Sequence, residues 1–188
     1  MQEPLRVIKL GGSLLKTGYL RDCLARIEPA YQGSRLVIVP GGGVFADQVR
    51  VAQQDWHFDD TTAHEMALLA MQQMALLFKS MQPSFVIADT VSALLKQSVL
   101  NKVVIWSPCI NELNQSGVPA SWDVSSDSLA VWLAAQLSAV ELILVKSVKI
   151  DPMLSVAQLS ERHIVDKAFS ASVAAHWFPI SIIHARQI

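Results

Sequence analysis

Lys9 and the turn that follows it could bind an anion such as a phosphate group. Lys9 stands inside the apolar run Leu5–Leu10, which predicts a buried strand, and positions 11–13 read Gly-Gly-Ser. Lysine is almost never buried without a partner. Glycines let backbone N–H groups approach an anion closely, and the start of a following helix favours negative charge. An ordinary tight turn is the alternative interpretation of this sequence.

Three further segments place glycines, a lysine or carboxylates beside a predicted strand end or helix start. They are Pro40–Gly43, Trp122–Asp127 and Val145–Val148. In open α/β sheets ligands bind at the carboxyl ends of the strands, where these segments would meet. Each also has a structural interpretation: Asp123 as an N-cap, Asp127 as a first-turn acid, Lys146 as an ordinary lysine. The order and spacing of all four segments carry the functional inference.

This combination of groups suits phosphoryl transfer. Such a reaction asks the protein for positioning and positive charge more than for covalent chemistry. Lysines supply mobile charge, glycine turns supply N–H donors, and a carboxylate can hold the lysines or engage Mg²⁺. The chain lacks the P-loop and protein-kinase motifs, and Gly41–Ala46 fails the dinucleotide-binding fingerprint. These three nucleotide-binding classes are therefore excluded.

Strand-like and helix-like runs alternate, as expected for an α/β protein with a mainly parallel sheet. The predicted strands are Leu5–Leu10, Arg35–Val39, Phe85–Ala88, Val103–Trp106, Glu141–Val145 and Ile180–Ile183. The predicted helices are Tyr19–Ile27, Val44–Gln53, Asp60–Ser80, Val91–Lys96, Val124–Leu137, Val156–Leu159 and Phe169–Ala175. Asn111–Val118 is expected to be a loop, and Thr62 with Glu65 resembles a capping box. The Met- and Ala-rich face of the longest helix predicts packing in the core, with a subunit interface as the alternative.

The composition predicts a well-buried globular protein that forms one domain over residues 1–188. Hydrophobic residues make up 52% of the chain, charged residues make up 16%, and the formal net charge is −1. This balance gives no basic footprint for nucleic acid or for an anionic membrane surface. No apolar run reaches the roughly 18 residues of a membrane span. Cys23 and Cys109 suit neither a metal site nor a disulfide framework, so we expect reduced thiols in a cytoplasmic protein.

Taken in order, the four segments resemble the motifs of the amino acid kinase family. The resembling motifs are Val7–Ser13, Val39–Gly43, Asp123–Ala130 and Leu144–Val148. The resemblance implies a three-layer α/β/α sandwich with a mostly parallel sheet, ATP and Mg²⁺ as cofactors, a small-molecule acceptor, and at least a dimer. Within the family, the short chain and the segment Ala63–Gln73 resemble the short kinases that phosphorylate (aminomethyl)furanmethanol phosphate in methanofuran-type cofactor biosynthesis.

The resemblance implies a role for individual residues of these motifs. Lys9 would neutralise the transferring phosphoryl group, and Asp127 would organise the lysines. Gly41 and Gly42 would face the acceptor, and Asp123 would lie near it, where its charge suggests contact with an aminomethyl cation. The residues implied for the nucleotide are Gly11, Gly12, Ser13, Gly43, Lys146 and Ser147.

The chain departs from the family pattern in the nucleotide-binding half. Lys149-Ile150 stands where an Asp-Gly pair is frequent, and no Gly-x-x-x-Lys turn, which carries a second catalytic lysine in some members, follows Asp151. Lys146, Lys149 or Lys167 could supply that charge.

Three alternatives stay open at this point. The acceptor could be an amino acid carboxylate or another phosphate monoester. The protein could also be a catalytically weakened one that binds a nucleotide or metabolite. His64, near the start of the longest helix, is interpreted as a surface or packing residue, with contact to the acceptor as the alternative.

Overall fold

The computed structural model describes residues 3–188, and within them the chain forms six strands and nine α-helices. The strands are β1 (Leu5–Leu10), β2 (Arg35–Pro40), β3 (Val86–Ala88), β4 (Val103–Trp106), β5 (Glu141–Lys146) and β6 (Ile180–His184). The helices are α1 (Ser13–Lys16), α2 (Leu20–Ala30), α3 (Gly43–Trp56), α4 (Asp60–Met81), α5 (Val91–Leu100), α6 (Ile110–Gln115), α7 (Ser126–Gln136), α8 (Val156–Glu161) and α9 (Phe169–Ala174).

The strands form one parallel sheet in the order β3-β4-β2-β1-β5-β6. Hydrophobic core covers both of its faces, with α7 in the core on one side and α2 in the core on the other. This arrangement confirms the predicted three-layer α/β/α sandwich. Since β1 pairs with β2 on one side and with β5 on the other, the carboxyl end of β1 is where such a sheet binds ligands.

The alternation of side chains along β1 and β5 directs two lysines to the same face of the sheet. Val7 and Leu144 belong to the core beneath α7, whereas Ile8 and Val145 belong to the core on the opposite face. Successive side chains in a strand point to opposite faces. Lys9 and Lys146, two residues beyond Val7 and Leu144, therefore point toward α7.

Helix α4 packs into the core as its apolar pattern predicts. Its buried residues are Ala63, His64, Leu68, Ala70, Met71, Met74, Ala75 and Phe78. No helix in the described part of the chain, residues 3–188, is both long enough and apolar enough to cross a membrane.

Two local predictions are wrong. Residues 110–115 form α6 instead of a loop, because Leu113 is buried in the core and Glu112 accepts the backbone N–H of Val91. The N-cap of α4 is Asp59, whose carboxylate accepts the Thr62 N–H at 2.7 Å, so Thr62 does not begin a capping box. Both corrections arise from contacts that the local apolar pattern does not encode.

Candidate active site

Three charged side chains form a buried ion-pair cluster at the carboxyl ends of β1 and β5. Asp127, in the first turn of α7, lies between Lys9 of β1 and Lys146 at the end of β5. Lys9 Nζ lies 2.7 Å from Asp127 Oδ1, and Lys146 Nζ donates a 2.7 Å hydrogen bond to Oδ2. The fold thus brings together Lys9, predicted to neutralise the phosphoryl group, Asp127, predicted to organise the lysines, and Lys146, predicted beside the nucleotide.

This cluster carries one positive charge in excess, because two ammonium groups share one carboxylate. Burial alone would raise the pKa of Asp127, but the charges of Lys9 and Lys146 outweigh it and hold that pKa below its usual value. Burial, assisted by the Lys9 charge and opposed by Asp127, lowers the pKa of Lys146 to about 8. An anionic ligand would balance the excess charge, which is costly to keep out of water.

Both lysines contact Asp127 at the same distance. The Lys9 ammonium lies 2.7 Å from Oδ1, and the Lys146 ammonium lies 2.7 Å from Oδ2. Both distances are within hydrogen-bonding reach, so each contact combines opposite charge with hydrogen bonding and lowers the pKa of Asp127. The carboxylate is thus engaged on both of its oxygens by the two lysines.

The two glycine turns touch each other next to the cluster. Gly41 N–H donates to the Leu10 carbonyl at 2.8 Å, and a Cβ atom built on Gly41 would lie 2.5 Å from the Gly12 nitrogen. Only glycine tolerates so close an approach of two backbones. Gly43 has a φ of +57°, a left-handed conformation that also favours glycine. Packing therefore requires these glycines whether or not a ligand is bound.

Two adjoining cavities open onto the turns, a polar cleft of about 700 Å³ and a mainly apolar pocket of about 250 Å³. Of the predicted site residues, the cleft contains Lys9, Gly11, Asp123, Asp127, Lys146 and Ser147. The pocket contains Gly41, Gly42 and Gly43, and both cavities are lined by Gly12 and Ser13. The Ser13 and Ser147 hydroxyls lie 2.8 Å apart, so they join the turns after β1 and β5. The arrangement places a larger polar cleft, which suits a polyanion, beside a smaller and mainly apolar pocket.

Asp123 lies on the cleft and not on the pocket. Its carboxylate forms an exposed 3.1 Å ion pair with Lys167, whose side chain is 70% exposed. The N-cap of α7 is Ser125, so the N-cap interpretation of Asp123 is wrong. Lys146, Lys149 and Lys167 were considered as sources of the second positive charge. Lys146 pairs with the same carboxylate as Lys9, whereas Lys149 is exposed.

Asp166 fixes the start of α7 and was missed by the sequence analysis. Its carboxylate accepts hydrogen bonds from the backbone N–H groups and from the hydroxyls of both Ser125 and Ser128. Val165 and Phe169 are buried and hold the surrounding loop in the core. Asp166 lies 38 positions after Ser128 and 41 positions after Ser125 in the sequence, so no local motif could have revealed these contacts.

Arg50 and Trp122 form a second feature that the sequence analysis did not identify as a unit. The Arg50 guanidinium lies 3.8 Å from the centre of the Trp122 ring, and the indole N–H donates to Gln53 Oε1 at 2.6 Å. Both residues line the cleft as well as the pocket. Arg50 follows Gly43 by two turns of α3, so both residues lie on the same face of the helix. This spacing could have indicated from the sequence that Arg50 lies beside the glycine turn.

His64 lines the pocket and is only 6% exposed. Its burial agrees with the packing interpretation, while its position agrees with the alternative of contact to an acceptor. Burial lowers the pKa of His64 below its usual value, although the neighbouring Glu65 opposes the shift. The shift favours the uncharged imidazole.

The donor groups at the site fit a triphosphate better than a metal held by the protein. Residues 3–188 contain no group of three or more His, Cys, Asp or Glu side chains that could hold a metal ion. The Asp127 carboxylate is engaged by two lysines. Because Mg²⁺ is usually held by one or two carboxylates together with substrate phosphates, an Mg²⁺ ion at this site would need ligand oxygens from a bound phosphate compound.

Comparison with known proteins places this site in a family. Residues 4–150 match the model of the amino acid kinase family. A [5-(aminomethyl)furan-3-yl]methyl phosphate kinase from Methanocaldococcus jannaschii is 26% identical over 148 residues, which cover 77% of this chain and 66% of that protein. The match thus spans slightly less than two thirds of the relative's length.

Three solved structures share the fold. The uridylate kinase of Archaeoglobus fulgidus superimposes with a TM-score of 0.72 at 18% identity, covering 96% of this chain and 90% of that one. The UMP kinases of Bacillus anthracis and Ureaplasma parvum give TM-scores of 0.70 and 0.68 at 14% and 16% identity. They cover 97% of this chain in each case, and 88% and 90% of their own. The family match contains all four motifs and the whole ion-pair cluster, and this chain belongs to the amino acid kinase family.

Proposed function

We propose that this protein is an ATP-dependent kinase that transfers the γ-phosphoryl group to a small phosphate monoester. The observation that carries the proposal is the cluster of Lys9, Asp127 and Lys146, which offers one excess positive charge beside the glycine turns. Phosphoryl transfer needs positioned charge of this kind more than a covalent partner. Membership of the amino acid kinase family supports the same class of reaction.

In the proposed reaction an acceptor oxygen forms a bond to the γ-phosphorus as the bond from that phosphorus to the β,γ-bridging oxygen breaks. Lys9 and Lys146 neutralise the charge on the oxygens in transit. Asp127 holds both ammonium groups in place, and the backbone N–H groups of the glycine turns donate to phosphate oxygens. Mg²⁺ bound to the nucleotide would neutralise further phosphate charge.

The pocket supports a small acceptor. Its volume of about 250 Å³ lies below the roughly 300–1,000 Å³ of pockets that take drug-sized ligands. Arg50 stands where the pocket meets the cleft, and a guanidinium suits a phosphate group. Together with the similarity to the M. jannaschii kinase, these features lead us to propose (aminomethyl)furanmethanol phosphate, from methanofuran-type one-carbon cofactor biosynthesis, as the acceptor.

The individual site assignments form part of this proposal. The residues assigned to the nucleotide are Gly11, Gly12, Ser13, Gly43, Lys146 and Ser147. Gly41 and Gly42 face the acceptor, and the contact of Asp123 with it stays a prediction. The single-domain organisation, the homo-oligomeric state and the cytoplasmic location also stay predictions.

Release of ADP, measured by a coupled assay with Mg²⁺ and ATP, tests the proposal. The acceptors are the furan phosphate, UMP, isopentenyl phosphate, glutamate and aspartate, and the Lys9→Met variant supplies the background rate. Turnover with the furan phosphate alone supports both the reaction and the acceptor. Turnover with another acceptor keeps the kinase and replaces the acceptor. ATP binding without turnover on any of them contradicts the proposed acceptor and shifts the interpretation to an untested acceptor or to a nucleotide-binding protein.

A further inference from the structure

His64 is a buried polar side chain that opens onto the pocket. Its side chain is 6% exposed, and among residues 3–188 no group is hydrogen-bonded to its imidazole. The ring nitrogens are not among the fully enclosed, unpaired polar atoms of these residues, so they face the space of the pocket. Their partner is therefore water or a molecule that occupies the pocket.

Helix α4 presents an otherwise apolar surface to the pocket. From α4 the pocket is also lined by Ala67, Leu68 and Met71, which follow His64 at helical spacing, and from α7 by Leu129. The serines that line the pocket belong to the turn after β1 and to the start of α7. His64 is therefore the hydrogen-bonding side chain that α4 offers to a ligand.

The charged residues of the pocket lie elsewhere. Asp47 and Arg50 line the cleft as well as the pocket, so they stand where the two cavities join. Lys16 pairs with Asp47 at 2.7 Å, and both side chains are more than half exposed. A phosphate group that faces the cleft would thus lie near the charged residues, and the remainder of the molecule would point toward the apolar region and His64.

We propose that His64 determines acceptor specificity by a hydrogen bond to a polar group that the acceptor carries away from its phosphate. This inference rests on the proposed function, and it defines the acceptor class as small, largely apolar phosphate monoesters with one remote hydrogen-bonding group. An imidazole with one N–H donor and one acceptor nitrogen can serve either a donor or an acceptor on that group. A purely aliphatic phosphate would leave His64 without a partner, and a polar amino acid would not suit the apolar walls.

The test compares two acceptors that differ in the remote group. They are (aminomethyl)furanmethanol phosphate and the same ester without its aminomethyl substituent, and each is titrated against wild type, His64→Leu and His64→Gln. In the wild type, loss of the substituent should raise the acceptor KM by about tenfold, the value of one good hydrogen bond. His64→Leu should remove this preference and leave the KM for ATP unchanged, and His64→Gln should restore part of it.

Gln73→Leu is the matched control, because it makes a similar change at an exposed position of the same helix. It should leave both acceptor KM values unchanged. Turnover of both esters with equal KM by the wild type, or an undiminished preference in His64→Leu, overturns the role of His64 while the kinase stands. If neither ester is turned over, calorimetric titration of each into the wild type decides. An unequal affinity that His64→Leu abolishes then supports the role of His64 without the kinase, and equal affinities or no binding overturn it.

Discussion

A Cβ atom on Gly12 would lie 2.4 Å from the backbone nitrogen of Gly43. The turn after β1 and the turn after β2 are thus in direct backbone contact. Lys9 precedes the first turn, and the pocket is lined by the second. The contact between the two turns therefore sets the distance between the lysine cluster and the place proposed for the acceptor.

Replacing Gly12 by alanine should push the two turns apart. Gly12 has a φ of −61°, which any residue adopts, so the clash with Gly43 is the main cost. We expect the free energy of unfolding to fall by about 1–3 kcal/mol, the cost of overpacking, and turnover to fall with it. Urea unfolding and the coupled ADP assay measure the two effects.

Gly117→Ala provides the control for this substitution. Gly117 has a φ of +77°, and a Cβ atom there would meet nothing within 4 Å. The control should lose about 1–2 kcal/mol to backbone strain and keep wild-type turnover. A Gly12→Ala protein with wild-type stability and turnover would show that the turns can move apart without consequence.

The sequence was sufficient to predict that the segments of the cluster meet, while the hold of Asp127 on the lysines was implied by the family resemblance. Lys9 and Lys146 extend the alternation of two buried strands, and Asp127 lies in the first turn of an apolar helix that must cover one face of the sheet. Once the sheet is parallel with β1 beside β5, the three side chains converge. Strand periodicity and motif order thus contain most of the information about this part of the site.

The remaining residues of the site depend on contacts that no local pattern records. Asp166 reaches α7 from a loop whose sequence shows no strong periodicity, and the Arg50–Trp122 contact joins two segments far apart in the chain. His64 falls on the buried face of α4 like any packing residue. Its distinction is the pocket beside it, which exists only after α3, α4 and α7 come together.

Substitution of Lys9 should affect stability much less than substitution of Asp127. Lys9→Met leaves Asp127 paired with Lys146, so no buried charge is left unpaired. The free energy of unfolding should therefore change by less than about 1 kcal/mol. Asp127→Asn leaves two buried ammonium groups side by side, which should cost about 3–5 kcal/mol. Both variants should lose about 10²–10³-fold in turnover, as when one charge-stabilising group is removed.

Thermal unfolding with and without ATP separates the two variants further. The triphosphate would balance the two unpaired lysines of Asp127→Asn, so ATP should raise the Tm of this variant more than that of the wild type. Lys102→Met, which removes only an exposed ion pair with Glu3 away from both cavities, is the control and should leave turnover within about twofold, since such pairs contribute little. Equal destabilisation by Lys9→Met and Asp127→Asn would contradict the charge balance described for the cluster.

The pH dependence of activity should report the protonation of Lys146. Its lowered pKa of about 8 belongs to the free enzyme, so kcat/KM for ATP should decline as the pH rises through about 8 and the ammonium loses its charge. In the nucleotide complex the phosphates favour the charged form, so the decline in kcat should begin at higher pH. Lys146→Met should be slow and should lack this decline, and persistence of the decline in that variant would assign it to another group.

The exposed face of α4 should take part in self-association if the protein is a homo-oligomer. Leu69 and Leu76 lie two turns apart on this helix and are 45% and 64% exposed. We expect Leu76→Glu to shift the wild-type oligomer toward monomer in sedimentation velocity, because a charge at an apolar contact opposes its burial. Leu100→Glu, at the end of α5 with 71% exposure, is the control. A monomeric wild type at micromolar concentration would make the prediction of an oligomer wrong.

Asp166 should act on the chemistry through the position of Asp127. Asp166→Ala leaves four donors at the start of α7 without their carboxylate, which should lower the free energy of unfolding by about 2–4 kcal/mol and loosen the turn that carries Asp127. A weaker hold on Lys146 by Asp127, and the loss of the Asp166 charge itself, both lower the pKa of Lys146. The decline of kcat/KM for ATP should therefore move to lower pH, which a purely structural role would not produce.

Two variants serve as controls for this substitution. Asp166→Asn, which keeps one acceptor oxygen, should give a stability and a pH profile between those of the wild type and Asp166→Ala. Asp151→Ala, which removes one exposed hydrogen bond to Met153, should match the wild type. An unshifted decline in an Asp166→Ala protein that is destabilised would limit Asp166 to holding the fold.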